Sequence, residues 1–141
     1  MDQSIVFALA GILIIGALLF ALISKVTIQK PSKRLNVEQY RIKYLVIENQ
    51  LKRNEVLSYH LCVLNADKLV DQALRESGIK GETMGERLKN SANRFSDING
   101  LWSAHKLRNH IAHEPDAAVT FDEARYALAG FKKALKELGA I

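Results

Sequence analysis

Apolar residues recur at helical spacing through most of the chain, and the segment over residues 55–77 constrains the fold most. Its apolar positions cover so much of the helix circumference that a helix there has to be largely buried. A helix buried on most sides needs other helices around it, so we predict that it is the central helix of a bundle. Gly78 then ends it as a C′ residue. The apolar positions are Val56, Leu57, Leu61, Leu64, Leu69, Val70, Ala73 and Leu74.

Start and stop signals on either side of this segment predict two further helices. Asn36 is a good N-cap for a helix that ends near Arg53, either separate from the central helix or continuous with it. Thr83 and Glu86 have the spacing of a capping box and predict a short helix.

The last third of the chain carries two more helix signals. Asp97 can cap a helix over residues 98–113. Thr120 and Glu123 have the spacing of a second capping box and open the last helix. No strand pattern or repeat is present in the sequence, so we predict an all-α fold with a four- to five-helix bundle.

Residues 5–23 form an uncharged run of mostly Ile, Leu, Ala, Val and Phe. About 19 residues at ~1.5 Å each nearly match the ~30 Å hydrocarbon core of a bilayer. A cleaved signal peptide is the rival interpretation, but Asp2 stands where a basic n-region is expected, and no clean A-x-A site lies near Ser24. The sequence therefore predicts one transmembrane helix, with residues 1–30 as a membrane anchor and its basic flank.

The charges that flank this run predict its orientation. Asp2 precedes it, whereas Lys25, Lys30, Lys33 and Arg34 follow it, and lysine and arginine favour the cytoplasmic side. We therefore predict a single-pass protein of the inner or plasma membrane. Residues 31–36 would form a juxtamembrane linker, and residues 37–141 a cytoplasmic helical domain.

Composition narrows the function classes only slightly. The formal net charge of +5 permits an acidic partner such as RNA or a lipid headgroup. Cys62 is the sole cysteine, so no internal disulfide and no thiolate metal cage can form. Its apolar neighbours predict a buried, unreactive thiol.

Arg108 is the sharpest functional clue, because it lies in the apolar face of the helix over residues 98–113. At ~100° per residue it falls between Ala104 and Ala112 on that face. An unpaired buried charge is costly, so Arg108 needs a partner. It either forms a buried ion pair with Asp67 or Asp71, or it faces a cleft or second subunit and binds phosphate.

The helix positions near Arg108 differ in what they can contribute. His105, Asn109 and His113 follow one another at a spacing of four residues and line one border of the apolar face. His110 points to the polar side, so we predict a surface residue there. Trp102 is predicted to anchor the core or an interface rather than to stack on a base. The helix has no H-E-x-x-H pattern, so no metal site is predicted.

Arg108, Asn109 and His113 resemble the signature of the HEPN superfamily of helical bundles. That signature is an arginine, usually followed by a polar residue, and a histidine after four to six intervening positions; here four residues intervene. Residues 101–107 and 114–115 also resemble the helix and exit of small bacterial HEPN-type proteins, and weak similarity extends over residues 36–139. The resemblance implies metal-independent endoribonuclease activity on RNA, with no cofactor.

The resemblance also implies a role for each catalytic residue. His113 would move protons, Arg108 would hold the scissile phosphate, and Asn109 would orient the phosphate or His113. HEPN-like domains are expected to pair as homodimers that place two such sets across one cleft. His105, Asp67 and Asp71 would support the site. The alternative is a non-catalytic interaction or dimerisation module tethered to the membrane.

Overall fold

The computed structural model describes residues 3–27, 34–114 and 116–141. These residues contain six α-helices and one 3-10 helix and no strand. The chain divides into two units, residues 1–31 and residues 32–141. The predicted all-α bundle is confirmed for the second unit. The elements are α1 (Gln3–Thr27), α2 (Val37–Asn49), α3 (Val56–Glu76), α4 (Met84–Asn90), the 3-10 helix (Ala92–Arg94), α5 (Ile98–His113) and α6 (Phe121–Glu137).

The N-terminal helix α1 does not bear out the predicted membrane anchor. Among the described residues, no helix combines the length and the apolar character that crossing a membrane requires. The prediction of a transmembrane helix is therefore wrong, and so are the predicted inner- or plasma-membrane location and cytoplasmic orientation.

Several predicted features lie outside the described residues. These are the first half of the linker predicted over residues 31–36, the flanking charges at Asp2, Lys30 and Lys33, and Pro115, the second residue of the 114–115 exit. The second half of the linker, residues 34–36, is described and is not helical.

Helix α3 is the central helix, as its apolar pattern predicts. It packs against α2, α4, α5 and α6. Cys62 is fully buried in it, as predicted, and burial raises the pKa of its thiol. The Cys62 Sγ donates to the backbone carbonyl of Ile47 at 3.2 Å, which ties α3 to α2. The four surrounding helices thus owe their positions to α3.

Helices α2 and α3 are separate, which settles the alternative that the sequence left open. Helix α2 ends at Asn49 rather than near Arg53, and the turn contains Asn54 with a φ of 66°. Asparagine tolerates this left-handed conformation better than most residues. The Asn54 N–H donates to the Tyr59 hydroxyl at 2.8 Å, and the Lys52 N–H donates to Ser58 Oγ at 3.1 Å. These bonds hold the turn against the first residues of α3.

Each helix of the bundle that was predicted to have a side-chain N-cap has one. The Asn36 Oδ1 accepts from the backbone of α2, and Asp97 Oδ1 accepts from the Gly100 N–H at 2.9 Å. Thr83 Oγ1 accepts from the Glu86 N–H at 3.2 Å, but the Glu86 carboxylate accepts from Glu82 instead of completing the predicted capping box. The sequence thus correctly predicts where α4 begins and the bond to Thr83 Oγ1, but not the partner of the Glu86 carboxylate.

Helix α6 begins with the complete capping box that the sequence predicts. Thr120 Oγ1 accepts from the Glu123 N–H at 3.2 Å. The Glu123 carboxylate accepts from the Thr120 N–H at 2.8 Å and from the Thr120 hydroxyl at 2.7 Å. These bonds from Thr120 lower the pKa of Glu123.

Tyr44 joins α2 to α6 through a buried hydrogen bond. Its hydroxyl donates to the backbone carbonyl of Leu128 at 2.8 Å. Lys132 lies 5.4 Å from the Tyr44 ring and binds Glu48 of α2 at 2.8 Å. Burial raises the pKa of Tyr44, so the hydroxyl remains a donor.

We expect Tyr44→Phe to lower the free energy of unfolding by about 1 kcal/mol, because a typical buried hydrogen bond contributes that much. Urea unfolding measures the change. Tyr126→Phe is the matched control, since Tyr126 is 66% exposed on α6. Equal stability of the two variants would contradict a stabilising role for the Tyr44 bond.

We expect Thr120→Ala to cost about 1 kcal/mol at neutral pH through loss of the cap. Because the folded pKa of Glu123 is lowered, its contribution is present above the unfolded pKa and is lost as pH falls through the folded pKa. The stability difference between wild type and variant should therefore shrink in acid. Urea unfolding at several pH values measures it. Thr83→Ala is the control, because the Thr83 hydroxyl does not bind the Glu86 carboxylate. If the stability difference between wild type and Thr83→Ala shrank in acid by the same amount, this explanation would be refuted.

Candidate functional site

Helix α5 presents one side to the core and one edge to α3. Leu101, Ala104 and Ile111 are buried, so the rotation of the helix is set by apolar packing. His105 is buried as well, while Arg108 and Asn109 are half-buried. The sequence-predicted candidates Arg108 and Asn109 therefore lie at a boundary between core and solvent.

Asp67 is the buried carboxylate around which these residues gather. Its exposure is 4%. Asp67 Oδ1 accepts a hydrogen bond from His105 Nδ1 at 2.7 Å, and Asp67 Oδ2 lies 3.3 Å from Arg108 Nε. The Arg108 contact is an ion pair without hydrogen-bond alignment, since Nε is buried with no hydrogen-bond partner. Of the alternatives that the sequence left open for Arg108, the structure shows an ion pair with Asp67, in which Arg108 itself is only half-buried.

Asn109 closes the group into a ring of polar contacts. Arg108 Nη1 donates to Asn109 Oδ1 at 2.9 Å, and Asn109 Nδ2 lies 3.3 Å from His105 Nε2. Because Nδ2 can only donate, His105 Nε2 is the acceptor, and the ring proton resides on Nδ1 facing Asp67. We call Asp67, His105, Arg108 and Asn109 the polar ring. Each member orients the next.

Arg108 keeps donors free despite these contacts. A guanidinium has five N–H donors, and the polar ring uses one Nη1 hydrogen and places Nε toward Asp67. Among the described residues no partner binds Nη2, and that atom is not buried. The side chain is 36% exposed. Arg108 is thus held through Nε and Nη1 and keeps Nη2 available.

Asp71, the other sequence-predicted partner for Arg108, has different partners. Its Oδ1 accepts from Arg87 Nε at 2.8 Å, and its Oδ2 lies 3.4 Å from Arg75 Nε. Arg87 also donates to the backbone carbonyl of Gly81. Sequence reasoning missed Arg87, although its position three residues after the buried Met84 already put a cation on the apolar face of α4.

His113 is not part of the polar ring. It is exposed at the end of α5, and within the described part of the chain no bonding partner is assigned to it. His110 is exposed, as predicted, and its Nδ1 lies 3.0 Å from a carboxylate oxygen of Glu114. No group of three or more His, Cys, Asp or Glu side chains among the described residues is placed to hold a metal ion. The structure therefore gathers Arg108 and Asn109 with His105 and Asp67, and leaves His113 apart.

A groove of about 770 Å³ lies between α3, α4 and α5, beside the polar ring. We call it the α3–α5 groove. Trp102 lines it, and its ring lies 5.9 Å from the His105 ring at an interplanar angle of 68°. Sequence reasoning assigned Trp102 to the core or an interface and missed the groove. The lining residues are Leu64, Asn65, Asp67, Lys68, Asp71, Glu82, Thr83, Met84, Gly85, Arg87, Trp102, His105, Lys106, Arg108 and Asn109.

The comparisons with known proteins do not assign the chain to a family. No family model, no curated protein and no solved structure matches it. The resemblance to the HEPN superfamily therefore rests on the motif residues themselves. The function has to be argued from the chemistry of the polar ring and the α3–α5 groove.

We expect Asp67→Asn to lower the free energy of unfolding by about 2 kcal/mol. Breaking a buried ion pair costs about 3–5 kcal/mol, and the partial exposure of Arg108 reduces that cost. Urea unfolding at neutral pH measures it. Asp122→Asn, which removes the exposed pair with Arg125, is the control and should change stability by less than about 0.5 kcal/mol. Similar small losses in both variants would argue against the polar ring as a stabilising unit.

Proposed function

We propose that the chain is a HEPN-like domain that binds an RNA phosphate through Arg108 and cleaves RNA without a metal ion. The observation that carries this proposal is the bonding of Arg108: Asp67 and Asn109 hold its Nε and Nη1, while Nη2 has no partner among the described residues. A guanidinium oriented in this way suits an anion that approaches from solvent. The formal net charge of +5 is compatible with an acidic ligand.

The proposed reaction is transesterification within the RNA strand. The 2′-oxygen bonds to the adjacent phosphorus as the bond from phosphorus to the 5′-oxygen breaks, which leaves a 2′,3′-cyclic phosphate and a 5′-hydroxyl. One proton leaves the 2′-hydroxyl and another reaches the 5′-oxygen, and imidazole suits both transfers. His113 would carry these protons, and Arg108 would stabilise charge on the phosphate.

A homodimer would reconcile this chemistry with the position of His113. Arg108 and His113 are five residues apart, about 140° around an ideal helix, so they do not face one point from a single α5. One imidazole also cannot readily act as base and acid in the same turnover. Two copies that juxtapose their α5 ends would bring an Arg108 near a His113 and supply two imidazoles to one cleft.

A specific observation favours a second function, that of a non-catalytic interaction or dimerisation module. The polar ring satisfies Asp67, His105 and Asn109 within one chain. Arg108 has a structural use there that requires no substrate. On this alternative Arg108→Ala lowers stability or dimer affinity, and RNA is not cleaved.

The full chain, incubated with single-stranded RNA in EDTA, tests the first proposal. We expect cleavage, and a loss of about 100-fold or more in rate on His113→Ala, because general acid–base catalysis contributes that much. A comparable loss is expected for Arg108→Ala. Cleavage products and the molar mass in solution are measured for each variant.

Two variants serve as matched controls for the nuclease assay. His110→Ala removes an exposed imidazole from the same helix, and Arg125→Ala removes an exposed guanidinium from α6. Both should cleave RNA at the wild-type rate. Absence of cleavage, or cleavage that survives in His113→Ala, would refute the nuclease, and a weaker dimer in Arg108→Ala would then support the interaction module.

A further inference from the structure

The α3–α5 groove joins an aromatic surface to cations in one concave site. Its volume of about 770 Å³ lies within the range of small-molecule sites. Trp102 is half-buried in its lining, and a Cβ on Gly85 would lie 3.4 Å from Trp102 Cη2. The glycine therefore leaves space beside the indole that any larger residue would reduce.

The charges that line the α3–α5 groove favour an anion near Arg108. Lys68 and Lys106 form no ion pair within the described part of the chain. The carboxylates of Asp67 and Asp71 are each neutralised by an arginine. Two free lysines and the open edge of Arg108 thus remain available to a ligand.

Glu82 is the exception among the carboxylates of the α3–α5 groove. It lines the groove from the turn just before α4, and its side chain has no ion pair among the described residues. A free carboxylate repels a phosphate but accepts hydrogen bonds from a ribose hydroxyl or an exocyclic amine. The lining therefore suits a ligand that has an anionic part and a neutral part rich in donors.

We propose that the α3–α5 groove binds one nucleotide, with its base stacked on Trp102 and its phosphate on Arg108, while Lys106 adds positive charge to the lining. Trp102 and Arg108 are six residues apart on α5, about 9 Å along the helix axis and about 120° around it. Both nevertheless line the same groove, so the base and the phosphate of one nucleotide would contact opposite parts of its wall. The idea that this site holds an RNA base next to the cleaved phosphate rests on the proposed function. Binding of a nucleotide itself does not require cleavage.

A nucleotide explains the lining better than simpler occupants do. A bare phosphate would use the lysines and Arg108 but leave Trp102 and Glu82 without a role. An amphipathic helix would need a mostly apolar groove, whereas charged residues form much of this lining. Stacking of bases on aromatic side chains together with contacts from basic residues is a general mode of single-strand recognition.

Trp102 is the only tryptophan of the chain, so its single indole N–H resonance reports directly on the groove. We would titrate the full chain with inorganic phosphate, with uridine monophosphate and with a single-stranded 2′-O-methyl oligoribonucleotide. The last probe cannot be cleaved, because it lacks the attacking hydroxyl. A fluorescent label on the same strand gives the affinity by anisotropy.

We expect the nucleotide probes to shift the indole resonance and inorganic phosphate to leave it in place at equal concentration. Trp102→Leu should lower the affinity for the oligoribonucleotide strand about tenfold or more, as expected for loss of one stacked base. Lys106→Ala should lower this affinity severalfold and reduce its dependence on salt concentration. Lys133→Ala is the control, since Lys133 is exposed on α6 and lies outside the groove lining.

Gly85→Ala keeps the test decisive if Trp102→Leu fails to fold. Its methyl group would make an ordinary contact with Trp102 and narrow the groove, so strand affinity should fall severalfold while the thermal melting temperature is retained.

Equal affinity for monophosphate and strand would identify a free nucleotide as the ligand, and much tighter strand binding would identify RNA. An unmoved indole resonance, or the same shift with inorganic phosphate, would overturn the inference even if cleavage by Arg108 and His113 is observed. Indole shifts without cleavage would uphold the inference and refute the nuclease.

Discussion

The buried carboxylate of Asp67 is the constraint on which the arrangement of the bundle around α5 depends. Asp67 lies on α3, the helix that the other four surround, where water cannot solvate a charge. It therefore has to be neutralised from a neighbouring helix. His105 and Arg108 do so from successive turns of α5. The apolar packing of α5 sets its rotation, and these two contacts select which residues of α3 it meets.

Much of this fold could be predicted because its signals are local. Asp97 and Thr120 cap α5 and α6 as expected, and the apolar pattern of α3 correctly predicts its central place. The anchor prediction was wrong although it rested on the apolar character, length and flanking charges of residues 5–23: no described helix meets both requirements for crossing a membrane. The HEPN resemblance and the dimer remain predictions.

The candidate site could be predicted only in part, because its residues meet through tertiary packing. The position of Arg108 on an apolar face predicts a carboxylate partner and narrows the choice to Asp67 or Asp71. What decides between them is Arg87, which binds Asp71 from α4. The placement of α4 against α3 is not encoded in any local pattern of either helix. For the same reason the groove beside Trp102 could not be read from α5 alone.

The ion pair and the proposed phosphate contact of Arg108 need not compete. Asp67 lies beside Nε and Asn109 accepts from Nη1, whereas among the described residues no group accepts a hydrogen bond from Nη2. A phosphate would therefore meet an arginine whose conformational freedom is already reduced, so less entropy is lost on binding. The charge of Asp67 weakens the attraction, which is why the free Lys106 matters. Within the described ranges His113 is held by no comparable contact, so a catalytic position for it requires a second copy of the chain or the substrate itself.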